Sequence, residues 1–412
     1  MPRRVLPPRF LPFGSTGPSG MGILDEYDDT SGFVLWVTVR DAEVFARATA
    51  AGSNLFHSDP AERGHLIESL EPAQYGPIQP ALHMICGILT DPPPRDEIAA
   101  GCEEIAGWSE GWSKLQTAIE YAQVASLAVP SRANYAVHTA RLLRMRAEYD
   151  RAVGWFEHGI YLAKAEGDWA ALAQAYSGLG CLYMQRGSLP RARRVLLRSL
   201  RVAREKDLHE RVAAAYHNLF AVEAISENWD QAEKYAQRAL KWYPEGAKGV
   251  PRLARDLAFR WIQRGCFERA LPLALEVLEH FNAPADRALA WSDIARAAAG
   301  AGNAEQFETA WATAWVAVKA GSVDPFGADI LLNLTHAAAF RGDETRAAMT
   351  GREAIKLARE RKEAQTELEA EAVLDSLRST RVGQPRNDEL APLPDQLSRR
   401  FVSVLRAARA AR

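Results

Sequence analysis

Little in this chain suits covalent or metal chemistry. Its 412 residues include only four cysteines, Cys86, Cys102, Cys181 and Cys266, widely separated and without a C-x-x-C pair. That excludes a zinc knuckle, a dithiol redox motif and a disulfide framework, and it fits a reducing cytoplasm. The nine histidines form no H-E-x-x-H or comparable ligand spacing. No glycine cluster reads as a phosphate loop or a dinucleotide fingerprint, and no nucleophile elbow is present. Charge of one sign is also lacking: a net charge of -2 gives no global field toward nucleic acid or anionic lipid. Nowhere do about eighteen uncharged apolar residues run together, so no membrane span is expected. The basic start, MPRRVLPPRFLPFGSTGPSG, is interrupted by Pro7, Pro8 and Pro12 and does not read as an export signal. No catalytic residue, cofactor or metal is expected, and the chain does not read as an enzyme.

What is there is apolar surface, 48% of the residues, arranged with helical periodicity. Residues 1–32 are rich in Pro, Gly and Ser and then acidic, a composition that reads as a flexible arm. Residues 33–96 read as a small helical cap. Within it FVLWVTV suits a strand, but Leu35, Val39, Ala42, Phe45 and Ala46 share one helical face, which favours a helix.

From residue 97 to 362 the segments are rich in Ala, Leu, Arg and Glu and are broken at short intervals by Gly, Asp, Asn or Pro. A small residue recurs at equivalent places: Ala118, Ala152, Ala192, Ala232, Ala270 and Ala347, with Phe307 substituting once, at steps of 34 to 40 residues. A near-constant period of this size marks stacked supersecondary units, each unable to bury its apolar face alone. The expected architecture is all-α: a right-handed solenoid of about seven helical hairpins. An amphipathic helix over 363–380 caps it, and a linker with a basic tail helix follows over 381–412.

The stretch AYSGLGCLYMQRGSLPRARRVLLRSL, 175–200, carries a resemblance. Tyr176, Leu179-Gly180, Tyr183, Gly187, Ala192 and Leu200 resemble the tetratricopeptide repeat. The next copy keeps Tyr216, Leu219, Ala232, Ala239, Leu240 and Pro244 but has Phe220 in place of the small residue, which has to push two helices apart or point elsewhere. The long period is similar to that of kinesin light chains, polarity adaptors and bacterial Rap-type regulators.

The resemblance implies that the first helix of each hairpin lines a concave groove for a partner peptide. Transferred by position, the groove residues are His138, Arg141, Arg144, His217, Asn218, Arg255, Gln263, Arg296, Asn333 and His336. Asn218 and Asn333 are placed to hydrogen-bond an extended backbone, and the arginines to meet acidic groups. The expected function is a protein-interaction module binding a protein or peptide partner. The alternative is a signal-responsive regulator switched by a change of superhelical pitch. Two basic features lie outside the groove. Arg191, Arg194, Arg198 and Arg201 form a stripe read as a solvated face, without the features of a nucleic-acid module. The tail helix LSRRFVSVLRAARAAR suits a membrane surface, a partner helix or the solenoid itself.

Overall fold

The computed structural model describes residues 22–27, 29–47, 59–321, 323, 326–361, 363–378 and 396–410. Nearly all of them are helical and none is in a strand. They divide into two compact units, Met1–Val222 and Glu223–Arg412.

The first unit begins with α1 (Asp29–Arg47), α2 (Pro60–Glu68), α3 (Pro72–Tyr75) and α4 (Gln79–Cys86). The FVLWVTV stretch is helical. Val34, Leu35, Val39, Ala42 and Ala46 are buried in one core, so the burial of a helical face overrides the strand preference of its β-branched residues. The arm expected to reach residue 32 is instead packed from Gly22 onward, while residues 1–21 lie outside the described residues. Ile23 is fully buried. Glu26 accepts from the backbone N–H groups of Gln116 and Thr117, both at 2.8 Å, and from the Thr117 hydroxyl. A carboxylate on the open N–H groups of a helix start satisfies orphan donors and complements the helix dipole. Polarity suggested solvent here; the acid is an anchor.

Three hairpins follow in this unit: α5 (Arg95–Gly111) with α6 (Leu115–Ala128), α7 (Ala133–Met145) with α8 (Tyr149–Glu166), and α9 (Trp169–Gln185) with α10 (Leu189–Glu205). The next inner helix, α11 (His209–Ile225), crosses the division between the units. The second unit continues with α12 (Trp229–Trp242), α13 (Gly249–Gln263), α14 (Phe267–Leu278), α15 (Pro284–Gly300), α16 (Ala304–Lys319), α17 (Gly327–Phe340) and α18 (Glu344–Arg361). Then come α19 (Ala364–Arg378), which packs on α17 and α18, and α20 (Gln396–Ala410). All seven periodic small or substituting positions, Ala118 through Ala347 with Phe307, are buried.

Each hairpin turn is closed in one way. Five residues before the periodic position stands a residue of positive φ: Ser113, Ala147, Gly187, Glu227, Gly265, Gly302 and Gly342. At Gly187 the next amide, Ser188 N, reaches back to Tyr183 O at 2.8 Å, satisfying a carbonyl at the helix end. A Cβ on Gly180 would sit 2.6 Å from Leu196, so α9 and α10 approach through that glycine. Forty residues on, the bulk at the two register positions is exchanged: Phe220 stands for the glycine and Ala236 for the leucine, and both are buried.

The tail helix α20 packs against its own unit. Leu397, Phe401 and Leu405 are buried and the helix lies on α14. Arg406 Nε meets Glu276 Oε2 at 2.9 Å, and Arg409 stands near Glu276 and Glu279. A fifteen-residue helix is marginal alone; burial of three large apolar side chains, about 1.5–3 kcal/mol each as an upper bound, holds it.

Candidate functional site

Because the inner helices repeat at about forty residues, a side chain on one stands level with its counterpart on the next. The polar residues expected to face a groove use that adjacency to bond one another.

In the first unit the group starts on α5. His138 Nδ1 lies 2.5 Å from Glu103 Oε1, its Nε2 lies 3.4 Å from Glu110 Oε2, and the Arg141 guanidinium forks onto Glu110. Burial pulls the His138 pKa down, but hydrogen bonds to Glu103 and Glu110 more than offset it, and the net shift is upward. Burial pushes Glu110 up, yet bonds from His138 and Arg141 and the Arg141 charge lower it to about 2. Arg144 donates to Gln185 at 2.9 Å. Asn218 donates its amide to Ser177 Oγ at 2.8 Å and is half-buried, as is His217.

In the second unit the network is tighter. Arg255 Nε donates to Asp293 Oδ2 at 2.8 Å. Asn333 Nδ2 donates to Asp293 Oδ1 at 2.8 Å and to Ser292 Oγ at 3.2 Å, and Asn333 Oδ1 accepts from Arg296 Nη1 at 3.1 Å. Asp293 and Asn333 are each 2% exposed. Burial raises the Asp293 carboxyl against the lowering pull of Arg255. Burial lowers Arg296 to about 10, and burial with the Arg296 charge holds His336 near 3, a neutral imidazole. Gln263 is exposed and accepts from Arg260 at 2.7 Å.

The expected residues thus fall into two classes. Asn333, Arg296 and His138 are buried and each hydrogen-bonds the chain's own groups, and for these the open-groove expectation is corrected. Position along a helix sets direction but not how closely the neighbouring inner helix covers the side chain. Arg141, Arg144, His217, Asn218, Arg255, Gln263 and His336 keep part of their surface open. Glu103 and Glu110 were missed because the groove positions were counted only from α7 onward, which left out α5. Their seven-residue spacing, two helical turns on one face, was the signal. Among the described residues no group of three or more His, Cys, Asp or Glu is arranged to hold a metal ion. No described helix is long and apolar enough to cross a membrane.

Residues 171–245 match the tetratricopeptide repeat family. No curated protein matches the chain. Among solved structures, a Rap protein complexed with competence and sporulation factor superposes with a TM-score of 0.52 at 13% identity, covering 80% of this chain and 98% of that one. Yeast Tom70 gives 0.49 at 15% identity, with 89% and 76% covered. BtubC from P. vanneervenii gives 0.41 at 19% identity, with 52% and 91% covered. The matched segment runs from α9 through α12, so the chain carries tetratricopeptide repeats there, within a series of helical hairpins of the same kind.

Proposed function

We propose that the chain is a protein-interaction adaptor that takes a segment of a partner protein along the open polar side chains of its inner helices. The observation that carries this reading is Asn218. Its amide N–H is held by Ser177, which orients the side chain, while Oδ1 has no partner among the described residues. An oriented carboxamide with a free acceptor suits a peptide N–H without demanding a particular side chain. In the first unit Arg144 and His217 extend that surface. The second unit offers a set of its own, Arg255 and Gln263, with Asn333, Arg296 and Asp293 as the buried support that fixes Arg255. Because Arg141 and Arg255 are already on Glu110 and Asp293, recognition rests on hydrogen bonds more than on net charge.

The test is selection of peptides from a displayed library on the full chain, followed by titration of a selected peptide against variants. Asn218→Ala together with Arg144→Ala weakens binding at least tenfold while leaving the urea midpoint in place. Unchanged affinity would discard the reading. A ligand-responsive regulator is the second reading, and the Rap fold neighbour, solved with its factor bound, supports it. X-ray scattering separates the two: an adaptor keeps its profile when the selected peptide is added, and a regulator changes it.

A further inference from the structure

The outer helix α10 carries a surface that the inner-helix reading does not use. Arg191, Arg193, Arg194, Arg198, Arg201 and Arg204 are exposed, and the helix has no acid before Glu205. Of these, Arg191, Arg194, Arg198, Arg201 and Arg204 have no ion pair among the described residues. Elsewhere exposed arginines do find carboxylates, as Arg186 does with Asp150 and Arg359 with Glu367. Cations three and four residues apart repel, so the stripe weakens its own helix. A local cost with no structural return is a mark of function.

The arginines frame an apolar point. Leu197 is 41% exposed and is the one large hydrophobic side chain that α10 exposes. With Pro190, Arg193, Arg194, Arg198 and Arg201 it lines a depression of about 400 Å³. The charges are tied to position as well, since the same register on α12 holds exposed Lys234, Arg238 and Lys241.

Another hairpin shows what such a face accepts. Counting from Ala192 and Ala270 as equivalents, Leu197, Arg198 and Arg201 of α10 correspond to Leu275, Glu276 and Glu279 of α14. There the amphipathic helix α20 is seated, its Leu397, Phe401 and Leu405 buried and its Arg406 and Arg409 on Glu276 and Glu279. The α10 face has the opposite charge at the same two places.

We propose that the outer face of α10 is a docking site for an acidic amphipathic helix of a partner protein, seated as α20 is seated on α14. The occupant presents apolar residues at i, i+4 and i+8, one of them against Leu197, and carboxylates near i+9 and i+12 against Arg198 and Arg201. Charge complementarity brings it in, and the apolar contact sets its register. A nucleic-acid strand lacks its stacking platform here, since no aromatic residue lines the depression. A membrane lacks its apolar stripe, since Leu197 stands alone. This site is separate from the inner-helix surface, and either can fail without the other.

The probe is a fluorescent peptide of residues 396–410 carrying Arg399→Glu, Arg400→Glu, Arg406→Glu and Arg409→Glu, titrated against the full chain by anisotropy. Saturable binding is expected, at least tenfold weaker for the chain with Arg194→Glu, Arg198→Glu and Arg201→Glu, and several-fold weaker with Leu197→Ala. A scrambled peptide of the same composition binds at least tenfold more weakly. Glutamine at the three arginines replaces charge reversal if circular dichroism reports a lost fold. The proposal is overturned by absence of binding, by equal binding of the scrambled peptide, or by binding indifferent to the arginines. It is overturned equally by a DNA duplex that displaces the peptide from these arginines at lower concentration. A wild-type dimer abolished by the arginine changes also overturns it, for the occupant is then a second copy.

Discussion

Asn333 Nδ2 lies 2.8 Å from Asp293 Oδ1, joining two inner helices forty residues apart in sequence, and its Oδ1 takes a hydrogen bond from Arg296. A side chain placed to read a ligand is instead the centre of a buried network. Asn333→Ala leaves Asp293, Ser292 and Arg296 each short of a partner, and the expected loss is about 1–3 kcal/mol of stability. Urea denaturation followed by circular dichroism measures it. A residue serving only an open groove would lose affinity and keep its urea midpoint.

Gly180 and Leu196 set the approach of α9 to α10, since a Cβ at 180 falls 2.6 Å from Leu196 Cγ. Gly180→Ala overpacks the contact and costs about 1–3 kcal/mol. Leu196→Ala alone leaves a cavity and costs about 2–5 kcal/mol. The double variant recovers part of both, because the new methyl enters the space the leucine vacates. A thermodynamic cycle on the four chains gives a coupling of about 1 kcal/mol or more, and additive losses would contradict the packing. The exchanged bulk at Phe220 and Ala236 is the same trade in the natural sequence.

The repeating architecture was legible because a period leaves the same mark many times. Ala118 through Ala347 are each buried small residues beside a turn of one kind, and one degenerate copy such as Phe307 does not hide the rest. The seat of α20 and the role of Glu26 were not legible. Each depends on one set of contacts across about 90 residues or more, Glu26 on the start of α6 and α20 on α14, and neither set recurs in another repeat to reveal it. The groove residues lay between these cases. Periodicity put Asn218 and Asn333 at corresponding places, but coverage by the neighbouring helix buries one and leaves the other half-open.

Three of the seven hairpin turns hold a left-handed backbone without glycine: Ser113, Ala147 and Glu227, at φ of 60, 61 and 59°. Glycine in that conformation avoids about 1–2 kcal/mol of steric cost, against about 0.4–1 kcal/mol for the freer unfolded chain. Ala147→Gly is therefore expected to stabilise by about 0.5–1 kcal/mol net, read as a higher urea midpoint with an unchanged slope. Gly187→Ala, the reverse change at φ 70°, is expected to destabilise by a similar amount.

His138 and His336 give the units opposite responses to acid. His138 has a raised pKa, so its contribution is complete below 6.5, the ordinary value, and is lost as pH rises through the raised one. His336 is lowered to about 3. The unfolded chain takes up that proton near 6.5 while the folded chain refuses it, so stability declines as pH falls from 6.5 toward 3. Between about pH 8 and about pH 5 the first unit gains from its histidine while the second loses. His336→Gln is expected to flatten the acid-side loss, and His138→Gln to remove the gain on going from about pH 8 to about pH 5. NMR titration of the two imidazoles alongside urea melts tests both, and an His336 ring that titrates near 6.5 would contradict its burial beside Arg296.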